Sequence, residues 1–122
     1  MIRSLATLAL LSAGCQWDGL GSRAATPFTG GDVGHGAQVM VAVGCGACHV
    51  IPGIAGARGV VGPPLQGFAR RSYVGGEVPN TPSNLMQWLE NPQSIEPHTA
   101  MPALGLDATQ ARDVAAFLYT LN

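Results

Sequence analysis

The sequence predicts a small all-α domain. Three stretches place apolar residues at helical spacing behind clear N-caps, and no run of any length alternates apolar with polar residues. A third observation qualifies the fold. Residues 50–80 hold no convincing helix, and a loop of about thirty residues is long for a compact domain unless something besides protein fills the core. The 17 Gly and 9 Pro of the chain serve the turns of such a loop.

Residues 1–14 stand outside that domain. Arg3 puts one positive charge before an unbroken apolar and small-residue run, LATLALLSA. This is the pattern of a secretory signal and is too short to span a bilayer. Cys15 follows, in Leu11-Ser12-Ala13-Gly14-Cys15. The segment resembles a bacterial lipobox, whose Cys becomes the lipidated first residue of the mature chain. Ser12 stands where Leu is usual, with Leu11 one place earlier. Acyl chains, at ~0.8 kcal/mol per buried methylene, anchor well when more than one is present. The alternative is ordinary signal cleavage that leaves Cys15 as a free thiol or in an intermolecular disulfide. Residues 15–30 mix Gly, Ser, Thr and Pro without an apolar period. They read as a flexible tether with a root-mean-square reach of roughly 20–25 Å. The folded domain is expected over 31–122.

The first helix is capped by Asp32 and runs from 33 to about 43, with Val33, Ala37, Met40 and Val41 at helical spacing. Gly34 and Gly36 are poor helix formers, tolerated where another helix crosses closely. Next comes Cys45-Gly46-Ala47-Cys48-His49, the attachment pattern of c-type haem. Each thiol adds across one haem vinyl group as a thioether. One helical turn between Cys45 and Cys48 presents both sulfurs to one porphyrin edge, and His49 lies under the iron as proximal ligand. A redox dithiol would want a βαβ setting, which is not seen here. Zinc would want about four ligands, and Cys15 is the one further Cys. One motif implies one haem c, attached through Cys45 and Cys48. A haem also accounts for the long loop, because a flat apolar disc supplies core that so small a domain otherwise lacks.

The second helix has Thr81 as N-cap and Pro82 at its first position, and stops before Asn91-Pro92. The third starts at Asp107 with Gln110 three residues on, a capping box, and carries Ala111, Val114, Ala115, Phe117 and Leu118 towards the C-terminus. Six Arg, no Lys and seven acidic residues give a formal net charge of −1, which excludes a nucleic-acid-binding role.

Gly31-Asp32-Val33, Gly36, the motif at 45–49, Gly62-Pro63-Pro64-Leu65, Arg71, Pro97, Thr99 and Met101-Pro102 together resemble a class I cytochrome c. The stretches 79–85, Trp88-Leu89, Asn91-Pro92 and 101–106 resemble more narrowly the cytochrome c domain fused to the copper-binding subunit II of haem–copper oxidases. The resemblance covers 31–122 and implies a small class I fold wrapped around the haem. It implies His49 as proximal and Met101 as distal iron ligand, with the Pro63 carbonyl bonded to the other nitrogen of His49. It further implies that Leu65 packs on the haem face, that Arg71 faces a propionate, and that Thr99 belongs to the same haem-binding set. Trp88 either gives its indole N–H to a propionate or is plain core. Gly36 and Phe117 match the pair at which first and last helices cross. Met40 stands where an aromatic is common, and His98 is a stray competitor for the iron. On the residues alone, Met40 and Met86 read as core, His35 and Arg70 as solvated, and His98 as a surface loop residue.

Axial closure by His49 and Met101 would leave no position for oxygen, peroxide or another small-molecule substrate, and thioether ligation raises the potential. The implied role is a one-electron carrier, not an enzyme. It would take electrons from a quinol-oxidising complex or a dehydrogenase and deliver them to a terminal oxidase. It would be held on the periplasmic side of a membrane by lipidated Cys15. Two alternatives stay open: an electron-accepting subunit of a periplasmic dehydrogenase complex, and a haem enzyme or gas sensor with a labile Met101. The residues expected around the haem edge, Val60, Val61, Ala100, Pro102, Ala103 and Leu104, are small and apolar, so docking is expected to be apolar too.

Overall fold

A computed structural model describes residues 28–122. Three α-helices carry the fold: α1 (Val33–Ala42), α2 (Pro82–Glu90) and α3 (Ala108–Leu118). Each starts where its cap chemistry dictates. Asp32 Oδ1 accepts the N–H groups of Gly34 and His35 at 2.8 and 2.9 Å. Thr81 Oγ1 accepts the Asn84 N–H at 3.3 Å, with Pro82 opening the helix. The capping box of α3 is reciprocal: Asp107 Oδ1 accepts the Gln110 N–H at 2.8 Å, and Gln110 Oε1 accepts the Asp107 N–H at 3.1 Å.

The helices pack chiefly as α1 on α3, with α2 against α3. Met40, Leu85, Leu89, Ala111, Val114 and Leu118 join Ile51, Phe68 and Val74 from the loops in one buried cluster. Gly36 lets the α1–α3 crossing close, because a Cβ there would stand 2.1 Å from the Asp113 carbonyl oxygen. The atoms nearest to that position belong to the Asp113–Val114 backbone. Phe117 is buried, with its ring tip 3.7 Å from where a Cβ on Gly53 would be.

Two features depart from the sequence reading. A short hairpin, β1 (Tyr73–Val74) paired antiparallel with β2 (Val78–Pro79), interrupts the long loop, so the fold is mostly helical with a small two-stranded sheet. Strands of two residues are too short to show alternation. His35 is not simply solvated: its ring is 48% exposed, but Nδ1 lies 2.6 Å from Oδ2 of buried Asp113. The other oxygen of Asp113 accepts the Asp32 N–H at 2.8 Å, so a carboxylate on α3 ties down the start of α1. No helix among the described residues is long and apolar enough to cross a membrane.

Candidate functional site

The Cys45–Ala47 segment forms a 3-10 turn just after α1. The N–H groups of Cys48 and His49 both donate to the Cys45 carbonyl, at 3.2 and 3.0 Å, which gathers the two thiols and the imidazole into one turn. Cys45 and Cys48 form no disulfide with each other. Burial pushes the Cys45 thiol up, and the neighbouring Cys48 adds to the rise.

The segment after it is folded back to serve His49. The Gly62 N–H donates to the Cys48 carbonyl at 2.8 Å. A Cβ on Gly62 would stand 2.3 Å from Cε1 of His49, so the backbone itself walls one side of the imidazole. His49 Nδ1 lies 2.7 Å from the Pro63 carbonyl oxygen. A carbonyl only accepts, so Nδ1 carries the proton and Nε2 keeps its lone pair.

A cavity of about 390 Å³ lies between the three helices and the loops. Cys45, Cys48, His49, Pro63, Leu65, Arg71, Trp88, Thr99 and Met101 all line it, together with Met40, Leu85 and Val114 from the core. Arg71 donates to the Pro64 carbonyl and lies over the Phe68 ring, 5.5 Å from its centroid. Met101 is held at both backbone ends: its N–H donates to Thr99 Oγ1 at 3.2 Å, and its carbonyl accepts from Gln93 Nε2 at 2.8 Å. His98 is exposed and lies outside the lining, with its N–H bonded to Glu96 Oε1 at 2.7 Å. Arg70 is exposed, and Met86 packs on the core outside the cavity. Val60 and Val61, beside the mouth, are 88% and 75% exposed. Cys15 and the leader lie outside the described residues.

The lining suits a large apolar ring system with a metal at its centre. It offers two thiols on one turn, one imidazole nitrogen with a lone pair, and one thioether. Among the described residues no three His, Cys, Asp or Glu gather to hold a bare ion. The family model for cytochrome c matches residues 33–122. The chain belongs to the cytochrome c family. That family implies a covalently bound haem c and electron transfer, and Cys45 and Cys48 have the required spacing. This cytochrome c is also 33% identical over 69 residues to a cytochrome c oxidase subunit 2 from Alkalihalophilus pseudofirmus. The match covers 57% of the chain and 19% of that protein's length.

Three supporting residues were not assigned a role from the sequence. Gln93 holds the Met101 carbonyl, and Gly62 holds His49. Asn80 spends its whole amide on the site's frame. Its Nδ2 donates to the carbonyls of Phe68 and Arg71, at 3.2 and 3.0 Å, and its Oδ1 accepts from Tyr119 at 3.0 Å. Gly62 and Asn80 fall within the stretches that carry the resemblance. Gln93 has no local signal.

Proposed function

We propose that the protein is a one-electron carrier with a single haem c, joined through Cys45 and Cys48 and ligated by His49 and Met101. The observation that carries this reading is the convergence of those four side chains on one cavity, with the His49 tautomer set by Pro63. The haem, when bound, supplies reversible one-electron exchange at iron. The protein's part is to hold it. Pro63 orients the imidazole and raises its basicity, Gln93 and Thr99 fix the Met101 loop, and Leu65 and Met40 keep water from the ring. Arg71 and Trp88 also line the cavity and are the proposed partners for the propionates.

Likeness to an oxidase subunit supports a terminal oxidase as electron acceptor. The exposed valines beside the cavity mouth support docking through an apolar surface. In this reading Cys15 is lipidated and residues 15–30 tether the domain to the periplasmic face of a membrane.

The first test is extraction of the denatured protein with acid and organic solvent. Haem should stay with the polypeptide; passage into the organic layer overturns the proposal. Ferric protein should show the weak near-infrared sulfur-to-iron band. Met101→Ala should abolish that band and lower the potential, because axial ligands tune haem potential over ~0.8 V across proteins. Persistence of the band in Met101→Ala would assign the ligand to another sulfur.

A further inference from the structure

The β1–β2 turn needs two glycines for its shape, and one of them for a second reason. The Glu77 N–H closes the turn on the Val74 carbonyl at 3.1 Å, with Gly75 and Gly76 between them at φ +60° and +78°. Both central residues are left-handed, the requirement of the tight hairpin turn that glycine meets without strain. They differ in their surroundings. A Cβ on Gly76 would meet nothing within 4 Å. A Cβ on Gly75 would stand 2.5, 2.7 and 2.9 Å from Cζ3, Cη2 and Cε3 of Trp88, three atoms of the six-membered indole ring.

The turn backbone thus lies directly against Trp88. The residue cannot give way by moving its helix, since Leu85 and Leu89 on the same turn-spaced face of α2 are buried in the core. Trp88, Tyr73, Gly75 and Gly76 also line the cavity. The indole is therefore confined between the hairpin turn on one side and the cavity on the other.

We propose that Gly75 is a positioning residue for Trp88: its missing side chain lets the hairpin turn clamp the indole in the wall of the haem cavity, and this placement sets the haem's potential. The proposal rests on the haem reading above. A methyl at position 75 must push ring and turn apart by about 1 Å, because carbon contacts settle at ~3.5–4.0 Å. Either movement changes the wall that the haem meets.

Gly75→Ala and Gly56→Ala form a matched pair, since both impose a left-handed alanine; Gly56, at φ +77° with nothing within 4 Å of its Cβ position, lies outside the cavity lining, so only the first adds the clash. Each is made as the full-length holoprotein with Trp17→Phe, so that Trp88 is the one tryptophan left. Two quantities are read: the Trp88 emission lifetime, which energy transfer to haem shortens, and the midpoint potential. Gly75→Ala should lengthen or split the lifetime and change the ferrous-to-ferric ratio several-fold at a fixed applied potential. Gly56→Ala should leave both as in the parent. Equal behaviour of the two variants overturns the assignment and leaves the haem reading standing, since haem retention through extraction is measured separately. A changed lifetime with an unchanged potential overturns the link to the haem. A parent protein without covalent haem, with Trp88 unquenched, overturns both. If Gly75→Ala does not accumulate as folded protein, Gly75→Ala with Trp88→Leu decides. Recovery of folded holoprotein supports the clash, and no recovery overturns it.

Discussion

Replacing Gly36 by Ala puts a methyl group into the α1–α3 crossing. On helix propensity alone the change would stabilise α1 by up to ~1 kcal/mol. The packing gives the opposite sign. The new Cβ would stand 2.1 Å from the Asp113 oxygen, 2.6 Å from its carbonyl carbon and 3.0 Å from the Val114 nitrogen. All three are backbone atoms, so no rotamer change relieves the contact. Restoring a spacing of ~3.5 Å requires the helices to part by about 1.4 Å. That loosens Val114 and Ala115, both fully buried, and lengthens the bonds from Asp113 to the Asp32 N–H and to His35. Overpacking of this kind costs about 1–3 kcal/mol, and each weakened part-buried hydrogen bond adds up to about 1 kcal/mol. After the propensity gain, a net loss of about 2–4 kcal/mol remains. Each kcal/mol moves the midpoint of a domain this size by roughly 4–8 °C, so Tm should fall by roughly 8–32 °C. The assay is thermal unfolding of the holoprotein by far-ultraviolet circular dichroism, at equal haem content by absorbance. A Tm equal to or above that of the parent would refute the crossing.

Burial raises the Tyr119 phenol above its ordinary value. Such a group contributes stability that is full below about pH 10 and is lost as pH rises through the folded value. Tyr119→Phe should flatten the decline of Tm in alkali and, because Asn80 Oδ1 loses its donor, lower Tm at neutral pH; an unchanged alkaline limb contradicts this. The rate of electron transfer from a soluble form truncated before Gly31 to an isolated oxidase should depend weakly on salt. A fall of about tenfold or more between ~10 and ~150 mM, as the Debye length shrinks from ~30 to ~8 Å, would show that charge steers the encounter. Mass measurement of membrane-extracted protein should find a diacylglyceryl group on a chain starting at Cys15. Cys15→Ser should release or misprocess the domain, and a soluble mature protein with another start refutes the anchor.

The three helices were legible because each announces itself locally. A cap, an apolar period and a breaker sit within a dozen or so residues. The cavity lining was legible through a different route, the spacing of the motif at 45–49 and its likeness to a family. What escaped was information carried between distant residues. Asp113 has the appearance of a solvated helix acid until α1 arrives to use both its oxygens. His35 looked solvated for the same reason. The hairpin escaped because its four paired residues offer no period, although Gly75-Gly76 between two valine-bearing segments is a turn signal. Gln93 escaped because its partner is a backbone carbonyl, which sequence does not mark.

The hydrogen bond from the Asp32 N–H to Asp113 spans 81 positions, so the first helix of this domain is completed by its last. Bringing such ends together costs roughly 4 kcal/mol of chain entropy before any contact repays it. The turn at Cys45–Ala47 needs no such closure, because its backbone bonds run to neighbours and to Gly59 and Gly62 nearby. As the chain folds, the attachment turn can therefore form before α3 docks. The two thiols are then open to chemistry on a chain that is still unclosed, and the docking of α3 onto α1 becomes the step that seals the finished product.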